Sequence, residues 1–266
     1  MSRSLLHLVI PAYNPGDEFG VFLPDLAAQL ARTGIAHRIV VVDDGSRAAE
    51  RLRIERVVGS ARAVSPSVSA VIRHDRNRGK GAAIRTGWEA ATPGTTQLAF
   101  LDADGSVSPS EVARVLGETA CMEEPGLCVI ASRLRILGRT IERHWYRHCV
   151  GRVFASLTTA LLGIRAYDTQ CGFKIVPMAA YEGVRPWMRE QRFSFDVELV
   201  ALLLHAGYPV REVGIDWADR GRSTVRLWRD VPAMALALWQ IRQRRRGWGE
   251  PGRLGAGAGD TLARSG

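Results

Sequence analysis

Two carboxylates one residue apart, Asp102 and Asp104, end an apolar run in "FLDADGS" (100–106), just before a glycine. Like charges at that spacing repel unless a cation, a hydrogen-bond donor or water compensates. Carboxylates at i and i+2 can converge on one ligand once the chain turns. Hard divalent cations such as Mg2+ or Mn2+ prefer oxygen ligands and are often held by one or two carboxylates plus substrate phosphates. The competing reading is a capped turn that feeds the next helix. Asp43 and Asp44 in "VVVDDGS" carry the same ambiguity: a strand-end turn, which Asp and Gly favour, or a carboxylate accepting hydrogen bonds from a base or ribose. "NRGKGAAIRTG" (77–87) is glycine-rich and basic, but lacks the GxxxxGK[ST] spacing of a P-loop. Its glycines allow a ligand to approach closely, with Lys80 or Arg85 facing phosphate; the plainer alternative is a helix N-terminus with solvent-facing charges.

These residues need a scaffold, and the first half of the chain supplies the pattern of one. Near-continuous Val/Ile/Leu predicts strands at 7–13, 37–46, 69–74, 96–106 and 128–133, buried on both faces as in a parallel sheet. Helix-like segments lie between them near 17–33, 47–63, 79–91 and 108–120. The last begins at Ser108-Pro109, a capping serine followed by proline at the first helical position. Strand–helix alternation of this kind predicts a doubly wound α/β unit. Asn14, Asp43-Asp44 and Asp102-Asp104 then fall just after three of the strands, at the carboxyl edge where open parallel sheets bind ligands.

The second half reads differently. Residues 144–164 show the i, i+3, i+4, i+7 spacing of an amphipathic helix through Val150, Val153, Phe154, Leu157 and Leu161. "DTQCGFKIV" (168–176) reads as a loop with an internal glycine. "SFDVELVALLLHAG" (194–207) reads as a helix capped by Ser194 and ended by Gly207. Residues 208–219 alternate like a strand, a basic loop follows at 220–229, and a last helix covers 231–246, ending in "RQRRR". The glycine-rich tail, 247–266, reads as disordered.

With 266 residues, 46% hydrophobic and 24% charged, the chain has material for a sizeable core. The formal net charge of +9 suits an anionic partner: nucleic acid, an acidic membrane surface or a phosphorylated substrate. Cys121, Cys128, Cys149 and Cys171 form no CxxC pair and read as reduced thiols. No secretory signal is visible, and no stretch reaches the roughly 18 apolar residues of a spanning helix.

Taken in order, "VIPAYN", "VVVDDGS", "NRGKGAAIRTG" and "LDADGS" resemble the inverting family-2 glycosyltransferases of the GT-A fold. "DTQCGFK", "FSFDVEL" and "EVGIDWADRGRSTVRLWRD" resemble the branch of dolichyl-phosphate β-glucosyltransferases and related polyprenyl-phosphate sugar transferases. The resemblance spans roughly residues 5–245. It implies one GT-A domain over 1–246, with a nucleotide-sugar half at about 1–133 and an acceptor half at about 134–246. It also implies site roles. Asp102 and Asp104 would bind the Mg2+ or Mn2+ on the donor diphosphate, with Ala103 between them. Pro11, Ala12, Tyr13, Asp43 and Asp44 would hold uridine, and Gly79, Lys80 and Arg85 would line the nucleotide pocket. Arg133 would lie near the transferred sugar or the acceptor phosphate. Gln170, Asp196 and Glu198 would line the sugar and acceptor side, with Asp196 a candidate base for a hydroxyl acceptor; the alternative for Asp196 and Glu198 is a structural role, holding the arginines. Thr224 stands where the family usually has lysine, so Arg222 or Arg226 would supply that charge.

The implied reaction is metal-dependent transfer of a hexose, glucose from UDP-glucose first among them, to polyprenyl or dolichyl phosphate. GDP-mannose as donor, or a soluble or polysaccharide acceptor, are the near alternatives. A nucleotide-sugar sensor or a nucleic-acid-binding module is the alternative of another class. The scattered basic residues, and carboxylates at the ligand edge, argue against nucleic acid. The implied location is cytoplasmic, in peripheral contact with an anionic membrane. There Arg147, Arg152, Phe154, Leu157, Leu161 and the "RQRRR" run would meet headgroups and interface, unless 144–164 simply packs on the sheet.

Overall fold

The computed structural model describes residues 5–122, 124–133, 140–142, 156–164, 166–219 and 227–249. Nine strands are described: β1 (Leu5–Ala12), β2 (His37–Asp43), β3 (Ile72–Arg73), β4 (Thr95–Leu101), β5 (Cys128–Ser132), β6 (Ile141–Glu142), β7 (Phe173–Pro177), β8 (Val210–Gly214) and β9 (Trp217–Ala218). The helices are α1 (Phe19–Ala31), α2 (Ala48–Val64), α3 (Lys80–Glu89), α4 (Pro109–Ala120), α5 (156–162), α6 (Met178–Val184), α7 (Phe195–His205) and α8 (Leu227–Arg245). Among the described residues, seven strands form one sheet in the order β3-β2-β1-β4-β7-β5-β8, and β6 pairs with β9 in a second.

The apolar runs become strands for the expected reason. β1, β2 and β4 lie inside the sheet and are covered on both faces. Their side chains divide between two apolar clusters, as the twofold repeat of a strand requires. Leu8, Ile10, Ile39 and Val41 face one way, onto α1, α2 and α4. Val9, Val40, Val42 and Phe100 face the other, onto α3, α6, α7 and α8. α4 starts as its sequence predicts, with Ser108 Oγ accepting from the Glu111 amide at 3.2 Å and Pro109 in the first turn.

The structure corrects the reading of 168–176 as a loop. Phe173–Pro177 is β7, an inner strand antiparallel to both β4 and β5. Its internal charge, Lys174, breaks the apolar run on which a strand reading depends. The 208–219 stretch is two strands, β8 and β9, separated by Ile215-Asp216. The last helix begins at Leu227 rather than at 231. Ser194 takes the N-cap position of α7, but its backbone is already helical and its hydroxyl makes no cap bond.

Of 144–164, residues 156–162 are helical, with Leu157 exposed and Leu162 packed in the core. Arg147, Val150, Arg152, Val153 and Phe154 lie outside the described residues, as do Cys149, the basic residues 220–226 and the tail from 250. Cys121, Cys128 and Cys171 are free thiols. Among the described residues no helix is long and apolar enough to cross a membrane.

Candidate active site

The carboxyl ends of β1, β2, β4 and β5 deliver Tyr13, Asp43-Asp44, Asp102-Asp104 and Arg133. Asp102 is anchored from both directions. Its amide donates to the Gly172 carbonyl at 2.9 Å, and its Oδ1 takes Lys80 Nζ at 2.8 Å. The approach of the 171–172 backbone is so close that a Cβ on Gly172 would sit 2.1 Å from Asp102 Oδ2. Asp104 is exposed, and its Oδ1 accepts the Ser106 amide at 2.9 Å. Burial raises the Asp102 carboxyl above the ordinary range. The Lys80 ammonium opposes that rise, and Asp104 and Asp196 add to it.

This donor set suits a hard divalent cation. It is all oxygen, it concentrates negative charge, and Asp104 projects into solvent. Among the described residues no group of three or more His, Cys, Asp and Glu side chains could hold a metal by itself. The pair therefore fits an ion that takes its remaining ligands from phosphate and water, as Mg2+ commonly does.

Lys80 is the first residue of α3 and bridges two carboxylates, Asp102 at 2.8 Å and Asp196 Oδ2 at 3.1 Å. Burial disfavours its charge, but the two carboxylates outweigh burial and hold the ammonium protonated. Asp196 also takes Lys174 Nζ at 2.6 Å. Burial pushes its carboxyl up, yet Lys174 and Lys80 bring it below the ordinary carboxylate value. A carboxylate held ionised by two ammonium groups is a poor proton acceptor. Each of its two oxygens takes a lysine ammonium. Nothing in the sequence reading singled out Lys174; the available signal was a lysine inside an apolar strand, where a charge needs a buried partner.

Asp43 and Asp44 are also brought to this edge, but their oxygens are spent within the protein. Asp43 accepts the Ser46 amide at 2.9 Å and Arg73 Nε at 3.2 Å. Asp44 Oδ1 accepts the Arg78 amide at 2.8 Å and lies 2.7 Å from His74 Nδ1, while Oδ2 accepts the Gly79 amide at 2.7 Å. The pair shapes the 74–79 loop that leads into Lys80. Arg73, His74, Asp75, Arg76 and Arg78 line a cleft of about 460 Å3. Pro11 and Ala12 lie at the end of β1, half-buried and buried, and Tyr13 is exposed beyond them. Arg85 points back into the fold, with Nη1 donating to the Met188 carbonyl at 3.5 Å.

Arg133 is clamped by Asp168. Nε and Nη2 donate to its two oxygens at 2.6 and 2.7 Å, and the Arg133 amide adds a bond of 3.0 Å. The guanidinium lies over Trp217, 5.5 Å from the ring centroid. Glu212 in turn accepts the Tyr167 and Asp168 amides at 2.8 and 2.9 Å. Asp168 was not among the residues singled out; Gln170, two residues on, is half-buried. Glu198 does not line the edge. It is 0% exposed, accepts the Arg189 and Glu190 amides at 2.8 and 2.7 Å, and pairs with Arg244 at 3.1 Å. Arg222 and Arg226 lie outside the described residues. In the terminal basic run, Arg244 binds Glu190 and Arg245 binds the Leu162 carbonyl, while Arg242 and Arg246 are exposed.

A sequence profile described as "Glycosyl transferase family 2" matches residues 7–184. Dolichyl-phosphate beta-glucosyltransferase of Saccharomyces cerevisiae is 30% identical over 250 residues, spanning 89% of this chain and 74% of that protein. The Homo sapiens protein of the same name is 28% identical over 238 residues, spanning 84% of this chain and 70% of its own. Among solved structures, glucosyl-3-phosphoglycerate synthase from Mycobacterium tuberculosis, in complex with Mn2+, UDP and glucosyl-3-phosphoglycerate, superposes with a TM-score of 0.62 at 15% identity. That match covers 92% of this chain and 80% of the other. The same enzyme with Mn2+, UDP-glucose and phosphoglyceric acid also gives 0.62, at 17% identity. At these identities the likeness establishes the GT-A-like architecture alone.

Proposed function

The chain belongs to glycosyl transferase family 2, and from that premise we propose that it transfers glucose, with inversion, from UDP-glucose to dolichyl phosphate or a related polyprenyl phosphate. The observation that carries this reading is the turn after β4. It sets two carboxylates and the Lys80 ammonium at the ligand edge of a GT-A-like sheet. The names of the relatives, which align over most of this chain, support the choice of sugar and acceptor.

Asp102 and Asp104 would hold a divalent cation, Mg2+ or Mn2+, which when bound neutralises charge on the departing diphosphate. Lys80 supplies a further positive charge next to that pair. Cations aimed at developing negative charge stabilise the transition state more than the ground state. The acceptor side needs placement more than proton removal. A phosphate monoester, with a second pKa of about 6, is already a dianion near neutral pH. No strong base is then required, in keeping with an Asp196 pinned between two lysines. Arg133, fixed by Asp168 and Trp217, is the described cation suited to orient the acceptor phosphate.

A lipid acceptor implies work at a membrane surface. The exposed Leu236, Trp239, Arg242 and Arg246 of the α8 region carry the apolar and basic character that peripheral contact with anionic lipid needs. The test is a donor screen with purified protein, Mn2+ or Mg2+ and a short polyprenyl phosphate. UDP release and a glucosylated lipid, only with UDP-glucose and lipid together, is the expected result. Transfer from GDP-mannose alone, or to a soluble sugar without lipid, overturns the assignment.

A further inference from the structure

Four charged side chains, Lys174, Asp196, Lys80 and Asp102, form a chain across one face of the sheet. The antiparallel register sets Lys174 of β7 opposite Phe100 of β4. Lys174, Phe100 and, two residues on, Asp102 therefore share a face. That face is covered by α3 and α7, which bring Lys80 and Asp196. Lys174 Nζ donates to Asp196 Oδ1 at 2.6 Å and to the Cys171 carbonyl at 2.8 Å. Asp196 Oδ2 takes Lys80 at 3.1 Å, and Lys80 reaches Asp102 at 2.8 Å. The two ammonium groups lie 5.0 and 5.1 Å from the centroid of the Phe100 ring. Side-chain exposure climbs from 1% at Lys174 to 38% at Asp102.

Packing alone does not call for this arrangement, because apolar side chains of similar volume replace buried ion sets at little or no cost in stability. Position does call for it. A lysine ammonium is a point charge on a flexible four-carbon stem. With only the Asp102–Asp104 turn as partner, Lys80 would settle between those two carboxylates and compete for the oxygens that suit a divalent cation. Asp196 gives it a second, buried anchor, and Lys174 with the Cys171 carbonyl fixes Asp196. We propose that Lys174 and Asp196 are positioning residues that act through Lys80, holding its ammonium beside the acidic turn, where it meets the donor diphosphate without taking the cation's place. The inference rests on the nucleoside-diphosphate donor proposed above.

The experiment is calorimetric titration of UDP and, separately, of uridine, in the presence of Mg2+. Lys80→Met weakens UDP by about tenfold or more, the scale of a lost charge-assisted hydrogen bond, and leaves uridine, which has no phosphate, unchanged. Asp196→Asn and Lys174→Met produce the same selective loss. In the Lys80→Met background neither has any further effect on UDP. Losses that add in those double variants overturn the proposal, as does equal weakening of UDP and uridine. Asp196→Asn leaves a lysine unpaired in the core, so Lys174→Met/Asp196→Leu, which removes both charges together, is the second variant, with its fold checked by circular dichroism and melting temperature. It must show the same loss for UDP alone. Wild-type protein that binds no UDP removes the donor reading and this inference with it. Wild-type binding with additive cycles removes this inference only.

Discussion

Two turns in this molecule are spelled almost alike: Asp43-Asp44-Gly45-Ser46 after β2, and Asp102-Ala103-Asp104-Gly105-Ser106 after β4. Each ends an inner strand of the sheet and turns on a glycine of positive φ, +73° and +68°. In each, the serine amide donates to an aspartate of the same turn at 2.9 Å. Their surroundings differ. Asp43 and Asp44 are 0% and 2% exposed, and arginine, histidine and loop amides consume their oxygens. Asp104 stands in solvent, and Asp102 pairs with Lys80 while staying partly exposed. The second turn keeps carboxylate oxygen open to solvent. The first is an internal staple that shapes the loop leading into Lys80.

The largest effect expected from this contrast is catalytic. Asp104→Asn keeps an acceptor for the Ser106 amide but loses the charge, so turnover should fall by about 10²–10³-fold, with the melting temperature almost unchanged. Turnover at the wild-type level would return the second turn to the same class as the first. Next is Gly45→Ala, whose Cβ would lie 2.3 Å from the Arg76 carbonyl carbon and 2.5 Å from the Asn77 nitrogen. With the strain of a left-handed backbone added, urea unfolding should show a loss of about 3 kcal/mol.

A further carboxylate, Asp168 beside Arg133, extends the contrast. Burial alone would raise its carboxyl, but Arg133 outweighs burial and holds it at about 2, below the ordinary 3.8. A depressed carboxylate stabilises the fold above its unfolded value, and that contribution fades as pH falls from about 4 through about 2. It is on the order of 2 kcal/mol. Asp168→Asn should lower stability at neutral pH and flatten its dependence in that acid window; melting curves from pH 2 to 7 measure both. The smallest effect belongs to Gly105→Ala. The nearest side-chain atom to its Cβ is 3.5 Å away, in Phe22. Only the backbone penalty remains, about 1 kcal/mol, and a loss as large as that of Gly45→Ala would erase the distinction between the two turns.

Much of the first half of the chain was legible in the sequence. Apolar runs of β1, β2 and β4, and the Ser108-Pro109 start of α4, are local signals, and each element formed where its pattern lay. β3 shrank to Ile72–Arg73, with a lone bridge from Val68 to Ile39 before it. The second half was harder to read because its elements break local rules for tertiary reasons. Lys174 interrupts β7 and is satisfied by Asp196, 22 residues on. Glu198 is buried and holds the backbone at 189–190 and Arg244 on α8, partners that its place in the sequence does not name. Sequence could place Asp196 near the site, but not the two lysines on either side of it.

By itself the sequence determined the alternation of strands and helices, and with it the delivery of acidic turns to one edge of a mostly parallel sheet. Hydrophobic period and turn chemistry act over a few residues, so they can be read along the chain. Which acidic turn keeps oxygens open to solvent was decided only by the tertiary structure. That choice depends on β7 entering antiparallel between β4 and β5, and on α3 and α7 closing over it. The partners of each carboxylate come from segments distant along the chain, and in a buried setting a partner determines whether a charge is a staple, an anchor or a ligand.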